Sequence, residues 1–153
     1  DGHAMKLTVF TDYSLRVLVY LATRPERRAT IAEIAAAFAV KENHLTKVVH
    51  FLGKRGLLDN VRGKGGGVQL ARDPADIVIG EVVRATEGAG GPAECFDEAP
   101  DRCSIVRVCR LRDVLAEAVD AFYGALDRYR LADLVRNKHA LARVLFVSPP
   151  PRV

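Results

Sequence analysis

The sequence predicts a mainly α-helical protein with one short β-hairpin and a long C-terminal helix. Three observations support this fold class. Apolar residues recur at helical spacing in several segments of residues 5–86, a glycine-rich turn joins two strand-like segments within residues 57–70, and one apolar stripe continues through residues 110–130. A length of 153 residues suits one domain with an appended helical element.

The first helix is expected to begin at Thr11. Either Thr11 or Asp12 can cap it, because short polar side chains accept hydrogen bonds from the free backbone N–H groups at a helix start. The helix is expected to end near Arg24, since the residue before Pro25 resists helical conformation.

Two further helices are predicted close together in the chain. The segment Thr30-Ile31-Ala32-Glu33 is a capping box, which marks the start of a short second helix. After a break at residues 39–41, a third helix is expected from Glu42 to Lys54, with Gly56 as its stop signal. Its outward positions are polar or basic: Asn43, Thr46, Lys47, His50 and Lys54. Two helices joined by a tight turn, the second with such a face, are typical of a helix-turn-helix.

A glycine-rich hairpin follows the third helix. Leu57–Arg62 predicts one strand, Gly63-Lys64-Gly65-Gly66 a turn, and Gly67–Leu70 the returning strand. We interpret the hairpin as a wing, so that residues 5–86 form a winged helix-turn-helix domain. A phosphate-binding loop is the alternative, but the loop lacks a Gly-Lys-Ser/Thr signature and leads to a strand rather than a helix.

Positive charge is concentrated around the third helix and the wing. The chain carries a formal charge of +4, and residues 41–72 contain 7 basic and 2 acidic side chains. Such a local excess is expected of a surface that binds nucleic acid, although a simple solvated face has the same composition.

All three cysteines lie in the loop predicted at residues 87–109. Seven residues separate Cys95 from Cys103, and five separate Cys103 from Cys109. Thiolates are soft ligands that suit iron–sulfur clusters, zinc or copper(I). The spacing is too wide for the paired cysteines of a structural zinc site, so zinc is the second choice, and an odd count argues against a disulfide framework. Incidental cysteines without a ligand remain the non-functional alternative.

Helices are also predicted on both sides of this loop. Ile77–Thr86 forms a short helix before it, and Arg110–Arg130 a long amphipathic helix after it, followed by a last short helix from Leu131 within residues 110–147. A 20-residue helix spans about 30 Å, more than a small winged domain covers. We therefore expect part of its apolar stripe to face a second copy in a homodimer.

The two ends of the chain are expected to lie outside the fold. Residues 1–4, before Met5, are interpreted as the remnant of an expression tag, and residues 148–153 as a tail in which three prolines end regular structure. Neither a long apolar run nor a secretion leader is apparent, so the sequence predicts a cytoplasmic protein without a membrane segment.

Together, the winged domain, the three-cysteine loop and the long helix resemble a known family, the dimeric iron–sulfur winged-helix repressors. That family contains nitric-oxide sensors and cluster-assembly regulators. The resemblance covers Met5 to Val147. Its most specific segments are similar to the nitric-oxide-sensing branch: Phe10-Thr11-Asp12-Tyr13 with Leu15-Arg16, Asn43-His44, Val61-Arg62-Gly63-Lys64-Gly65-Gly66-Gly67, and Leu131-Ala132-Asp133-Leu134-Val135.

The resemblance implies a [4Fe-4S] cluster, with [2Fe-2S] as the alternative, held by Cys95, Cys103 and Cys109. In the nitric-oxide branch the fourth ligand is a carboxylate of the opposite subunit, and this position falls on Asp12. The cluster-assembly branch instead has a histidine three residues after the last cysteine, where this chain has Arg112. Arginine does not ligate iron, and this difference favours the nitric-oxide branch.

The resemblance further implies a transcriptional repressor that responds to nitric oxide and binds a double-stranded, A·T-rich palindromic operator. We expect the third helix to enter the major groove and the wing to enter the adjacent minor groove. The candidate DNA-binding residues are Tyr13, Asn43, His44, Thr46, Lys47, Arg62 and Lys64.

Two other functions fit some of these features. The first is a regulator of the same fold that uses zinc or a thiol switch instead of a cluster. The second is a small iron–sulfur carrier. An enzyme is disfavoured, because the histidines are scattered and no nucleophile and base are paired along the sequence.

Overall fold

Seven α-helices and one two-stranded antiparallel hairpin make up the described part of a computed structural model, residues 6–88, 91–96 and 103–147. The helices and strands, in chain order, are α1 (Val9–Thr23), α2 (Ile31–Phe38), α3 (Glu42–Lys54), β1 (Leu58–Val61), β2 (Gly67–Leu70), α4 (Ile79–Glu87), α5 (Arg110–Asp127), α6 (Leu131–Leu134) and α7 (Lys138–Leu145). The expected fold class, mainly helical with a wing hairpin, is confirmed. The interpretations of residues 1–4 and 148–153 concern segments outside the described residues, and the domain boundaries stay a prediction.

Helix α1 begins two residues earlier than expected, because Thr8 is its cap. The Thr8 hydroxyl oxygen accepts a hydrogen bond from the backbone N–H of Thr11 at 3.2 Å. Thr11 is fully buried, and its hydroxyl donates to the Thr86 hydroxyl oxygen at 2.8 Å. The prediction that Thr11 or Asp12 caps the helix is therefore wrong. Asp12 lies within the first turn of α1.

The helix-turn-helix forms as predicted. In the capping box, the Glu33 N–H donates to the Thr30 hydroxyl oxygen at 3.1 Å, and the Thr30 N–H donates to Glu33 Oε2 at 2.7 Å. Helix α2 ends at Phe38. Its C-cap, Ala39, takes a left-handed conformation with φ of 54° and lets the chain turn sharply into α3. Helix α3 occupies the expected residues, and its four apolar positions are buried: Leu45, Val48, Val49 and Leu52.

The hairpin pairs Leu58 with Leu70 and Val61 with Gly67, so β1 is shorter than predicted and leaves Leu57 and Arg62 outside the strand. Ala29 extends the sheet by one residue. Its N–H donates to the Val68 carbonyl at 2.9 Å, and the Val68 N–H donates back at 2.7 Å. The wing is therefore anchored to the segment that leads into α2.

The hydrophobic core is centred on α1, which contacts α3, α4, α6, α7 and β2. The predicted last helix is two short helices, α6 and α7, and α6 packs against α1. Leu131 and Val135 are buried, and the Leu131 N–H donates to the Ile77 carbonyl at 2.8 Å. Helix α4 begins at Ile79, two residues later than expected, and α5 ends at Asp127, three residues earlier than expected.

A close contact between α4 and α5 sets the direction of the long helix. A Cβ atom added at Gly80 would lie only 2.8 Å from Asp127 Cγ, and Arg84 donates two hydrogen bonds to the Asp127 carboxylate at 2.7 Å each. The hydrogen bond lowers the pKa of Asp127 and raises the pKa of Arg84. The contribution of this pair to stability is complete above the ordinary pKa of an aspartate and is lost as the pH falls through the lowered value.

Helix α5 buries none of its residues completely. Its second half lies against the core through Phe122, Tyr123 and Leu126, whereas Leu111 and Val114 in its first half are 62% and 59% exposed. None of the helices in the described segments is long and apolar enough to span a membrane.

We expect Gly80→Ala to destabilise the protein by about 1–3 kcal/mol, because the added methyl group forces α4 away from Asp127. Thermal unfolding followed by circular dichroism measures the effect. Gly124→Ala is the matched control, since a Cβ atom there meets nothing within 4 Å. It should leave the melting temperature unchanged or raise it, because alanine favours a helix more than glycine. Equal melting temperatures for the two variants would contradict the tight α4–α5 contact.

Candidate functional site

The outer face of α3 presents the side chains expected to read DNA. Asn43, His44, Thr46 and Lys47 are all exposed, because the opposite face of the helix is fixed in the core. The Thr46 hydroxyl donates to the Glu42 carbonyl at 3.0 Å and can still accept a hydrogen bond. Lys41, at the N-cap position, makes no side-chain capping bond.

The wing carries a second set of exposed cations. Arg62 follows β1 directly and Lys64 lies in the turn, and both are exposed. The Gly66 N–H donates to the Gly63 carbonyl at 3.0 Å and closes this turn. The two predicted wing residues are therefore presented together on a short anchored hairpin.

Arg28 is a third cation at the wing, and the sequence did not reveal it. Its Nε donates to Gln69 Oε1 at 3.2 Å, and its Nη1 donates to the Gly65 carbonyl at 3.4 Å. Arg28 lies about forty residues before the wing in the chain. Only the pairing of Ala29 with Val68 brings it there.

A chain of contacts joins the first turn of α1 to the first turn of α3. Arg16 donates to both carboxylate oxygens of Asp12, at 3.1 and 3.0 Å. The Arg16 guanidinium lies 5.7 Å from the centre of the Tyr13 ring, and the Tyr13 and His44 rings stack with their centres 6.1 Å apart. The Asp12 side chain is 47% exposed. Arg16 thus connects Asp12, the predicted fourth ligand of the iron–sulfur cluster, to Tyr13. Tyr13 in turn stacks on His44, and both are predicted to bind DNA.

The three cysteines are free and half-buried. Cys95 lies in the helical turn Glu94–Phe96, Cys103 begins a turn in which its carbonyl accepts from the Val106 N–H at 3.2 Å, and Cys109 holds the N-cap position of α5. The cysteine segment therefore joins the winged domain to the long helix.

The donor set fits an iron–sulfur cluster, because three free thiols lie in one short segment. The described residues do not yet assemble a metal site, since no three metal-ligating side chains among them converge. A single chain would supply only three of the four expected ligands, and residues 97–102, between Cys95 and Cys103, lie outside the described part.

Exposed apolar side chains lie near the cysteines in the chain and in the first half of α5. Ile105, Val108, Leu111 and Val114 are between 55% and 80% exposed. Large apolar side chains that are exposed close together in the chain are typical of a surface that another protein covers.

The Tyr20 side chain of α1 is buried, and burial raises the pKa of its hydroxyl group.

Comparison with known proteins agrees with this arrangement. Residues 7–137 match the model of the Rrf2 family, described as iron-dependent transcriptional regulators. The HTH-type transcriptional regulator NsrR of Bacillus subtilis is 49% identical over 142 residues, which cover 92% of this chain and 97% of the relative. The protein of the same name from Geobacillus kaustophilus is 47% identical over the same 92% of this chain and 97% of its own length.

Solved structures show the same fold. The structure of T. potens IscR matches with a TM-score of 0.72 at 24% identity, covering 96% of this chain and 95% of that one. The structure of CymR, the global cysteine regulator of B. subtilis, matches with a TM-score of 0.62 at 26% identity, covering 88% of this chain and 98% of that one.

We expect all three cysteines of the metal-free, reduced protein to react with a thiol reagent without denaturant, because none of them is completely buried. Counting the thiols released from Ellman's reagent, first in buffer and then in guanidinium chloride, measures this. Fewer than three reactive thiols in buffer would show that at least one cysteine is an inert core residue.

Proposed function

The chain belongs to the Rrf2 family and is a DNA-binding transcriptional regulator rather than an enzyme, and we propose that it is a homodimeric repressor that senses nitric oxide through a [4Fe-4S] cluster. The observation that carries this proposal is the position of the three free thiols, between the winged domain and the exposed half of α5. The high identity to relatives named NsrR supports the nitric-oxide branch, to which the sequence motifs are also similar. A cytoplasmic location stays a prediction of the sequence.

Cys95, Cys103 and Cys109 would hold the cluster, and the partner subunit's Asp12 would complete the ligand set. When bound, the cluster supplies iron with which nitric oxide can react. Asp12 suits the role because it is half exposed and is not used as a helix cap. An oxygen ligand also suits iron less well than a thiolate does, so Asp12 would be the most weakly bound of the four ligands.

The structure suggests how the ligand could affect DNA binding. Both oxygens of Asp12 are bonded to Arg16, so a new bond to iron requires this ion pair to open or to be shared. Arg16 lies on Tyr13, and Tyr13 stacks on His44 of α3. Release of Asp12 from iron would therefore change the contacts of Arg16 with Tyr13 and of Tyr13 with His44, in the helix α3 that is expected to bind DNA. A shift from 99:1 to 1:99 between two states requires about 5.5 kcal/mol of differential binding.

On DNA, we assign Asn43, His44, Thr46 and Lys47 to the major groove and Arg62 and Lys64 to the adjacent minor groove. A narrow A·T-rich minor groove attracts cationic side chains, which supports an A·T-rich operator. Tyr13 remains a proposed phosphate contact and also supports His44 by stacking. Arg28 would hold the wing in place rather than read bases.

The homodimer is supported by the exposed apolar half of α5. A second copy would cover Leu111 and Val114, and a two-fold pair matches a palindromic operator. It would also bring Asp12 of one chain to the cysteines of the other.

A thiol- or zinc-responsive regulator is the second candidate. It is favoured by one observation, namely that the three cysteines are free, because free thiols can also bind zinc or be oxidised without a cluster. A [2Fe-2S] cluster is the remaining alternative for an iron-containing form. Visible absorption, iron and acid-labile sulfide separate these states.

We expect protein purified without oxygen to be brown and to contain four iron and four sulfide per chain, as the proposed [4Fe-4S] cluster requires. Cys103→Ala should lose the iron and the colour but remain folded. The neighbouring Ser104→Ala is the control and should retain both. Full iron content in Cys103→Ala would refute the ligand assignment, and a colourless wild-type protein would favour the thiol or zinc regulator.

We expect Arg62→Ala to weaken binding to an A·T-rich operator by about ten- to hundredfold, or roughly 1–3 kcal/mol. Arg143→Ala removes the same charge from the exposed face of α7 and should change affinity much less. Gel-shift assays at two salt concentrations measure both, because contacts to phosphates weaken steeply with salt. Equal affinity of Arg62→Ala and wild type would exclude a reading role for the wing, provided that iron content is unchanged.

A further inference from the structure

We propose that Arg112 is a positioning residue that fixes the first cysteine beside the third before iron binds. The proposal rests on the proposed function, because it assigns Arg112 a role in the assembly of the cysteine site. Arg112 Nε donates to the Cys95 carbonyl at 3.2 Å, and its guanidinium lies 5.2 Å from the centre of the Phe96 ring. One side chain thus contacts two consecutive residues of the first cysteine's turn.

The turn that carries Cys95 is closed by its own contacts. The Phe96 N–H donates to the Ala93 carbonyl at 3.0 Å. A Cβ atom added at Gly91 would lie 2.6 Å from Phe96 Cγ, so the ring packs directly against the backbone at residue 91. Phe96 therefore contacts both Gly91 and Arg112.

The position of Arg112 on α5 decides where this turn is held. Cys109 is the N-cap of α5, and Arg112 follows it by three residues. The N-cap residue and the residue three positions later lie close together at the start of a helix, as they do in a capping box. The hydrogen bond to the Cys95 carbonyl therefore brings the Cys95 turn to the start of α5, where Cys109 also lies, although 13 residues separate the two cysteines in the chain.

Such a contact matters because seven residues separate Cys95 from the next cysteine in the chain, Cys103. A turn that is already placed loses less conformational entropy when its thiolate binds a metal. Arg112 also adds a permanent positive charge next to a site where three thiolates and a carboxylate would collect negative charge. Its planar guanidinium suits this double contact, since it can donate a hydrogen bond and stack on an aromatic ring at once.

The first test uses metal-free protein and does not depend on the cluster. The rate of alkylation of each cysteine is measured by peptide mass spectrometry in wild type and in Arg112→Ala, Arg112→Lys and Arg110→Ala. We expect Arg112→Ala to raise the rate at Cys95 severalfold, with little change at Cys103. Arg112→Lys keeps the charge but loses the planar contact and should be intermediate. Arg110→Ala is the control, because Arg110 lies on α5 two residues earlier and is exposed.

The second test follows iron. Anaerobically loaded proteins are challenged with a chelator, and we expect Arg112→Ala to retain iron about tenfold less well than wild type and Arg110→Ala. Unchanged alkylation of Cys95 in Arg112→Ala, or unchanged iron retention, would overturn the positioning role. A wild-type protein that binds no iron would instead refute the proposed function, while the alkylation rates would still show whether Arg112 holds the turn.

Discussion

Helix α1 is buried along most of its length, and α3, α4, α6 and α7 all pack against it. Val17, Leu18 and Leu21 supply its apolar side, and even the polar Thr11 and Ser14 are completely enclosed. The cost of burying these hydroxyls is offset because each donates a hydrogen bond, Thr11 to Thr86 and Ser14 to the Phe10 carbonyl. The position of α1 therefore fixes both the reading helix and the helix that leads to the cysteines.

The start of α1 is also where the proposed sensor and the DNA surface meet. Thr8 donates from its backbone N–H to Glu87 at the end of α4, at 2.8 Å, just before the cysteine segment begins. One turn later Asp12 is bound to Arg16, from which ring contacts continue to His44. Because both connections start at the N-terminal end of α1, a displacement of that end would change the contacts at both sites.

Local signals in the sequence predicted most elements of the winged domain. The capping box predicted α2 and the apolar spacing predicted α3, because both signals involve residues only a few positions apart in the chain. The start of α1 was missed because Thr8 and Thr11 are both acceptable caps, and only the burial of Thr11 against α4 decides between them. Similarly, the side chain of Arg28 reaches the wing through strand pairing, and Arg112 contacts Cys95, which lies 17 positions earlier in the chain. Contacts across such distances in the chain leave no local pattern.

The close approach of α4 and α5 at Gly80 has a consequence for geometry at larger scale. The residue leaves no room for a side chain between the two helices, and the Arg84–Asp127 pair fixes their rotation. The long helix therefore leaves each winged domain at an angle that is set within a single chain. In the proposed homodimer, the distance between the two α3 helices would then depend on this angle. The spacing of the DNA half-sites that the dimer can bind would therefore depend on the close approach at Gly80.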